Sequence, residues 1–468
     1  MSLCPRRILA LASAAALSGC LVHADRALLR QRAAAIHDPT SVLGLAHPGA
    51  EGNAADAAAI AVEADLDRYL RFALLRNAGL AAEYERFLAA AERVPQVSSP
   101  PDPMLTFTQF VEEVQTRTGP QERRWALTQA FPWFGELGAR GDVAKGELEE
   151  QWQRVVQKRL AVERDVAVAY AEYGYLAQAI RITRTFVALL EQLEPVVQRR
   201  VAAGISSQAD LLRLQVEIGR VENDLASHER VRPSLSARLA AAMNWRDDAL
   251  LPLPELVEPA RATSEVEATL QRALAGNPEL EELRQRVRTA RDRVRVAGYD
   301  RWPDLSVGVD YIETDAAVAP VPGSGDDPWA LRVGFSLPLW RAKYAASERE
   351  AEARVRAAMA ALADREVSLR AELEAAAFAL DDADRQVVLF RDSLLPRARE
   401  ALTVTRIAYT GGSASLLDMI DSERALLQFE IAYWRACRDH HRARARLEAL
   451  AGGRALPGRE PTNGGTAR

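Results

Sequence analysis

A seven-residue repeat of apolar side chains runs through two long stretches of this chain and constrains its fold more than any other feature. The first stretch covers residues 148–201 and the second covers residues 355–408. A strict heptad repeat predicts long α-helices that supercoil with their neighbours. The first helix, over about residues 137–203, would be on the order of 100 Å long. The heptads alone therefore favour a coiled-coil rod over a compact globule.

Each predicted long helix contains a proline, and Pro195 and Pro396 are each expected to bend their helix locally. A second helix with an apolar seam is expected to return from each long helix, and Pro233 should bend the first of these. The heptad register also predicts which side chains are buried around Pro396. These last seam positions are Phe390, Leu394, Ala401, Val404 and Ala408.

The composition is typical of a helix-rich, nearly neutral, soluble protein that is poor in catalytic residue types. Only three of the 60 basic residues are lysine, and Ala, Arg, Glu and Leu all favour helices. The net charge of −5 offers no footprint for nucleic acid. The sequence contains no run of 18 apolar residues, so no transmembrane helix is predicted. A phosphate-binding loop, an HExxH motif and a nucleophile elbow are absent from the sequence, so no catalytic residues, cofactor or metal site are predicted.

The first twenty residues have the pattern of an export signal. Arg6 and Arg7 precede an apolar run over residues 8–17, and Leu-Ser-Gly precedes Cys20. Small residues before a cysteine resemble the lipobox of bacterial lipoproteins, which predicts lipidation at Cys20 and a lipid-tethered mature chain. An ordinary cleavable signal is the alternative. Removal of the signal would leave Cys437 without a disulfide partner.

The rest of the chain consists of two similar halves, in which matching segments lie about two hundred residues apart. The segment LTQAFPWF (127–134) aligns with VGFSLPLW (333–340), and RVAAG (200–204) aligns with IAYTG (407–411). Asn77 similarly aligns with Asn277. Each half is therefore expected to contain a helix, two strands, a very long helix, a turn and a second long helix.

Short segments with a period of two lie between the helices and change the interpretation. Residues 305–311 and 329–337 alternate apolar with small or polar side chains, and residues 105–111 and 125–131 match less well. Strands of about 9–11 residues can span a membrane. Four strands cannot close a barrel, and open sheet edges are not tolerated in lipid. Three chains would close a barrel of twelve strands; a dimer with eight is the competing arrangement.

At this point the chain resembles the TolC family of outer membrane channel proteins. The resemblance covers about residues 62–451 and rests on the lipobox, the duplicated elements, Pro132 and Pro338, and the tip motifs VAAGISSQADLL (201–212) and AYTGGSASLLDMID (408–421). It implies a mainly α fold: a coiled-coil α-helical barrel plus four transmembrane β-strands per chain, closing as a 12-stranded barrel in a trimer. The segment FPWFGELGARGDVA (131–144) further resembles heavy-metal efflux members, with drug or other small-molecule efflux as the alternative.

The resemblance also implies site residues and partners. The two tips would form the periplasmic entrance, with Asp210, Asp418 and Asp421 as its gate and Gly204, Ile205, Ser206, Gly411, Gly412 and Ser413 as contacts to a periplasmic adaptor protein. An inner-membrane RND-type pump would supply the energy. The glycines would permit the tight turns, and Ser206, Ser207 and Ser413 are predicted helix N-caps. An exposed first-turn acid stabilised by the helix dipole is the simpler interpretation of each aspartate.

Cys437, His440 and His441 share one face of the last helix, where we favour a polar helix surface over a metal site. The predicted domains are a signal peptide (1–19), a periplasmic segment (20–62), two repeats (63–255 and 256–452) and a disordered tail (453–468). The predicted function is a passive, lipid-anchored outer membrane channel in a tripartite efflux system. The alternative is a periplasmic coiled-coil structural or adaptor lipoprotein without a pore; an enzyme is the least favoured class.

Overall fold

The computed structural model describes residues 65–245, 250–259, 271, 273–318 and 321–453. Cys20 and the predicted signal peptide lie outside the described residues. In chain order the helices are α1 (Leu66–Arg76), α2 (Ala78–Ser98), α3 (Glu136–Ala202), α4 (Gln208–Met243), α5 (Pro278–Tyr299), α6 (Arg341–Leu389), α7 (Leu395–Thr410) and α8 (Leu416–Leu450). The strands are β1 (Met104–Thr116), β2 (Gly119–Phe131), β3 (Leu305–Thr314) and β4 (Trp329–Phe335).

These elements confirm the mainly helical fold with a small β part. Helix, strand pair, long helix and returning helix occur in that order in each half. Asn77 and Asn277 also have the same role, because each side-chain oxygen accepts a hydrogen bond from a backbone N–H at the start of a helix: Leu80 N at 3.0 Å and Leu280 N at 3.1 Å. The two halves therefore share local detail as well as element order.

The chain divides into two compact units, each built from both halves. One comprises the described residues of Tyr84–Arg154 and Glu281–Asp364 and contains the sheet. The other, which we call the helical unit, comprises the described residues of Arg30–Glu83, Val155–Leu280 and Arg365–Arg468, and contains both helical turns. None of the helices in the described ranges combines the length and apolar character needed to cross a bilayer.

The four strands form one antiparallel sheet in the order β1-β2-β3-β4. Its register aligns an aromatic row across all four strands, in which Phe107 pairs with Trp125, Trp125 with Tyr311, and Tyr311 with Trp329. Because side chains alternate between the faces of a strand, this row shares its face with two apolar rows. They are Leu105, Leu127, Val309 and Leu331, and Phe131, Leu305 and Phe335.

This apolar face of the sheet is exposed in the single chain. Leu331 is 74% exposed, Trp329 is 65% exposed and Phe335 is 61% exposed. A soluble hairpin packed on a helix would cover such side chains, since large exposed apolar patches mark sites of interaction. The face therefore requires a covering medium or partner.

The long helix α3 confirms the prediction from the heptads, and its bounds differ from the predicted ones by one residue at each end. Pro195 lies inside α3 and Pro233 lies inside α4, and both helices continue through their proline. In the helical unit, the α3 seam packs against α1, α4 and α8 around Tyr69, Tyr173 and Leu239, which are fully buried.

The second long helix, residues 341–410, contains an irregularity that the heptads do not predict. A π-helical segment, Phe390–Leu394, joins α6 to α7, and Pro396 is the second residue of α7. A π-helical turn holds one more residue than an α-helical turn, so the buried face moves by one position. Leu395, Leu402 and Tyr409 are buried. The predicted seam positions Leu394, Ala401 and Ala408 each precede one of them, and Val404 is 61% exposed.

The shifted register makes a testable distinction between neighbouring positions. Leu402→Ala removes a side chain that is 8% exposed, and we expect the free energy of unfolding to fall by about 2–3 kcal/mol. Ala401→Ser changes the exposed position that the heptad pattern predicts to be buried, and should alter the stability by less than about 0.5 kcal/mol. Denaturant unfolding of both variants in detergent measures this, and equal losses would contradict the shift.

Candidate functional site at the two hairpin turns

The first turn joins α3 to α4 within the helical unit. Gly204 has φ +72°, a left-handed conformation that favours glycine. Ile205 N donates to the carbonyl oxygen of Arg200 at 2.9 Å, so the end of α3 is closed by a backbone hydrogen bond. Ile205 is 65% exposed despite its apolar side chain. This turn therefore presents an apolar tip held by a fixed backbone.

The second turn joins α7 to α8 and differs from the prediction by one residue. Gly412, with φ +79°, is the left-handed glycine, whereas Gly411 has φ −76° and is right-handed. Ser413 N donates to the carbonyl oxygen of Ala408 at 2.9 Å. Gly204 is thus equivalent to Gly412 rather than to Gly411, and the tight turn depends on Gly412.

The N-caps after these turns are only partly as predicted. Ser207 caps α4, as expected, while Ser415 caps α8. Ser206 and Ser413 are not the caps, because α4 begins at Gln208 and α8 begins at Leu416, directly after Ser207 and Ser415. Both capping serines lie three residues after the left-handed glycine, so the two turns have the same local construction.

Asp210 and Asp418 complete a capping box at the start of their helices. Asp210 Oδ2 accepts from Ser207 Oγ at 2.7 Å and from Ser207 N at 3.1 Å. Asp418 Oδ2 accepts from Ser415 Oγ at 2.7 Å and from Ser415 N at 3.0 Å. These serine hydrogen bonds lower the pKa of both carboxyl groups below their usual range. Each aspartate is therefore a fixed negative charge with a structural role in its own helix.

Asp421 is placed differently, because its side chain is 57% exposed and belongs to an ion-pair network. Its Oδ1 lies 3.2 Å from Arg424 Nη1, while Arg424 Nη2 lies 2.8 Å from Glu217 Oε2 on α4. Arg220 contacts the same carboxylate at 2.7 Å. This network, defined as Glu217, Arg220, Asp421 and Arg424, connects the returning helices of the two halves.

Glu217 lies at the centre of the network and is only 4% exposed. Burial opposes its ionisation, yet hydrogen bonds from Arg424 and Arg220 hold the pKa of Glu217 below its usual range. No motif in the sequence singles out Glu217, Arg220 and Arg424. A signal was present for the local pairs, because Arg220 and Arg424 each follow an acid by three residues on a helix. The contact between α4 and α8 has no such signal.

A second buried carboxylate lies one position before Arg424. Glu423 is 1% exposed, and neither of its carboxylate oxygens has a hydrogen-bond partner among the described residues. Its Oε1 lies 3.6 Å from Arg406 Nη2 on α7. Burial raises the pKa of Glu423 above its usual range, against the opposing charge of Arg406. Titratable groups are therefore concentrated where the two hairpins pack.

Cys437 and His440 of α8 lie in the interior and His441 is partly buried, which corrects the predicted polar helix surface. Cys437 is fully buried and His440 is 1% exposed. Burial raises the pKa of the Cys437 thiol to about 12, so the thiol is unreactive. His441 Nε2 lies 2.9 Å from the carbonyl oxygen of Val257. Across the described ranges, no group of three or more His, Cys, Asp or Glu side chains is arranged to hold a metal ion.

His440 should make the stability depend on pH. Burial and the neighbouring His441 lower the pKa of His440 to about 4, whereas an unfolded chain has a value of about 6.5. The unfolded state binds the proton first as pH falls, so stability is lost between these values. From pH 7 to pH 5 the contribution is about 2 kcal/mol.

His440→Gln should reduce the loss of stability between pH 7 and pH 5 by about that amount, measured by denaturant unfolding at both values. His228→Gln, at a partly exposed histidine, is the matched control and should reduce it less. An unchanged pH dependence in His440→Gln would show that His440 is not the group responsible.

Comparison with known proteins identifies a protein family that the chain matches. Residues 71–244 and 269–453 match the family model described as OEP: Outer membrane efflux protein. The outer membrane protein OprJ of Pseudomonas aeruginosa is 25% identical over 311 residues, covering 64% of this chain and 63% of OprJ. The cobalt-zinc-cadmium resistance protein CzcC of Cupriavidus metallidurans is 26% identical over 270 residues, covering 54% of this chain and 59% of CzcC. The chain thus spans less than two thirds of the length of these curated relatives.

Solved structures show the same fold. The outer membrane protein VceC of Vibrio cholerae superposes with a TM-score of 0.67 at 19% identity, covering 84% of this chain and 97% of VceC. A crystal structure of CusC gives a TM-score of 0.69 at 15% identity, covering 84% of this chain and 93% of CusC. The arrangement of helices and sheet is therefore that of these proteins.

Proposed function

The chain belongs to the outer membrane efflux protein family, and on this premise we propose that it is the passive exit channel of an efflux system. The single observation that carries the proposal is the exposed apolar face of the four-stranded sheet, with its aromatic row from Phe107 to Trp329. From Trp125 to Phe131 the strand advances roughly 20 Å. Because barrel strands tilt by about 40°, this stretch covers roughly 15 Å of the apolar band of about 25 Å on transmembrane barrels.

In this proposal, lipid covers the apolar face of the sheet. Closing the barrel then requires further copies of the chain. Aromatic side chains are enriched at both interfaces of membrane barrels. At the end of the sheet where β2 finishes, Trp133 stacks on Trp302 at 5.1 Å, and Trp340 is 73% exposed. Four strands leave two open edges, which lipid does not tolerate. A homotrimer closes twelve strands, and lipidation at Cys20 would tether each chain to the outer membrane.

The two hairpin turns are proposed as the periplasmic entrance and as the contact to an adaptor protein. Gly204, Ile205, Gly411, Gly412 and Ser413 are exposed, and Ser206 is partly exposed. An inner-membrane RND-type pump would then supply the energy for transport. Around a three-fold axis, Asp210, Asp418 and Asp421 would form rings of negative charge that favour cations.

The exported substrate is proposed to be a metal cation or another small molecule. The name of CzcC connects one relative with cobalt, zinc and cadmium resistance. Other relatives are named for the export of pyoverdine and of toxins and drugs. These names support both substrate classes for the family, while the 131–144 segment supports the metal branch.

Extraction of the full-length protein from outer membranes tests the assembly. We expect an SDS-resistant trimer that converts to a monomer on heating. A chain that becomes extractable as a monomer without detergent after Cys20→Ala would instead support the alternative, a periplasmic coiled-coil lipoprotein without a pore.

The gate aspartates yield a separate prediction. Asp418→Asn with Asp421→Asn removes two charges per chain and retains an oxygen that can accept from Ser415. Each charge contributes about 1 kcal/mol to a nearby cation in water, so block by a divalent cation should weaken by at least about tenfold. Single-channel recordings with cation titration measure the block.

Ser415→Ala is the matched control, because it removes the cap and keeps both charges. It should cost about 1 kcal/mol of stability and leave the cation block intact. Unchanged block in the double asparagine variant would remove Asp418 and Asp421 from the entrance.

A further inference from the structure

Five charged side chains occur in the regularly paired part of the sheet, and three of them lie on the face opposite the apolar rows. Arg124 is on β2, Asp310 is on β3 and Arg332 is on β4. Asp310 pairs in register with Ala126 and with Ala330, two residues from each arginine, so alternation puts the three side chains opposite the apolar rows. The other two charged residues, Arg123 and Glu313, lie at one end of the apolar face and form an ion pair at 3.0 Å.

Arg124, Asp310 and Arg332 form one contact cluster, in which Asp310 bridges the arginine pair. Arg124 donates to Asp310 Oδ1 through Nη2 at 2.9 Å and through Nε at 3.1 Å. Arg332 Nη2 lies 2.7 Å from Asp310 Oδ2 and 2.8 Å from its Oδ1. One carboxylate therefore binds two guanidinium groups, and the cluster keeps one net positive charge.

The cluster leaves that charge accessible. The Asp310 side chain is 6% exposed, whereas Arg124 is 37% exposed and Arg332 is 47% exposed. The carboxylate is enclosed by its partners, and the guanidinium groups present their remaining N–H donors outward. Guanidinium donors suit anions with carboxylate or phosphate groups.

The two faces of the sheet determine whether the cluster is exposed to lipid or to water. If the sheet spans the membrane, its apolar face meets lipid, because arginine on the lipid face costs about 2–4 kcal/mol near the midplane. The opposite face, with threonine, serine, glycine and the arginine pair, must then line the aqueous interior. This step rests on the proposed function.

We infer that Arg124 and Arg332 bias the membrane-spanning part of the channel towards anionic over cationic solutes, a preference opposite in sign to that of the aspartate rings proposed at the entrance. The charge is +1 per chain, from two arginines and one aspartate, and three chains would place three such clusters around the lumen. Rings of charged side chains are a general means of ion selection. Asp310 sets the magnitude of the charge as well as binding the two arginines.

The same contacts also join β2, β3 and β4, so a structural role must be separated from an electrostatic one. Arg332→Lys retains the charge and loses the planar guanidinium geometry. A structural role predicts that Arg332→Lys and Arg332→Gln behave alike. An electrostatic role predicts that Arg332→Lys keeps wild-type selectivity while Arg332→Gln does not.

A series of variants of the full-length protein tests the inference through the reversal potential of single channels in a potassium chloride gradient. Arg124→Gln with Arg332→Gln, Arg332→Gln, wild type and Asp310→Asn carry cluster charges of −1, 0, +1 and +2 per chain. At 0.01 M salt, where the Debye length is about 30 Å, each step should change the chloride-to-potassium permeability ratio by about twofold. At 1 M salt, with a Debye length of about 3 Å, the differences should vanish.

The outcomes are distinguishable. A permeability ratio that follows the order of charge, with Arg332→Lys close to wild type, supports the inference. Channels of normal conductance whose reversal potential is the same throughout the series would overturn it. Wild-type protein that forms no channel would contradict the proposed function instead. If Arg332→Gln fails to assemble, Arg124→Gln alone replaces it, because it carries the same cluster charge.

Discussion

Leu331→Arg is expected to prevent the protein from accumulating in the outer membrane. Leu331 lies in the middle of β4 on the apolar face of the sheet and is 74% exposed. An arginine at such a position costs about 2–4 kcal/mol in lipid, so three copies in one barrel cost about 6–12 kcal/mol. This is comparable with the whole stability of a typical protein domain.

The neighbouring residue provides a matched control for this substitution. Ala330 is paired with Asp310 on the polar face, so Ala330→Arg adds the same side chain towards water. We expect Ala330→Arg to assemble at nearly the wild-type level. The measurement is the amount of heat-modifiable trimer in outer membrane fractions. Equal recovery of the two variants would show that the apolar face does not meet lipid.

Arg220→Ala with Arg424→Ala should destabilise the helical unit by about 3–5 kcal/mol, because it leaves the carboxylate of Glu217 buried without a cation. The wild-type ion pairs stabilise the protein above the unfolded pKa of about 4.3, and that stability is lost as pH falls through the lowered folded pKa of Glu217. In the double variant the deficit should therefore be largest at pH 7 and shrink towards pH 4.

A triple variant separates the buried charge from the loss of packing. Glu217→Leu added to the two alanine substitutions removes the carboxylate, and apolar replacement of a buried ion cluster is often nearly neutral. Most of the lost stability should return, as measured by denaturant unfolding in detergent at pH 7 and pH 4. A triple variant as unstable as the double one would assign the loss to arginine packing rather than to the unpaired charge.

Features with a local period were predictable from the sequence. Helix α3 required only its heptad pattern, and β3 and β4 required only alternation, since both patterns are set by neighbouring residues. The capping of α4 by Ser207 and Asp210 was similarly predictable, because a capping box spans only four residues.

Features that depend on packing were not predictable. The π-helical segment before Pro396 shifts the buried face from Ala401 to Leu402, and this depends on how α7 fits its neighbours. The choice of Ser415 over Ser413 follows from where α8 begins, which the turn at Gly412 sets. The contact between Glu217 and Arg424 joins residues 207 positions apart, and no local pattern encodes such a distance.

The conductance of the purified full-length protein in planar lipid bilayers tests the central claim most directly. A passive outer membrane channel should add discrete, long-lived conductance steps in proportion to the amount of trimer reconstituted, without any energy source. Helical protein of native stability that leaves the bilayer at its baseline conductance would contradict the claim.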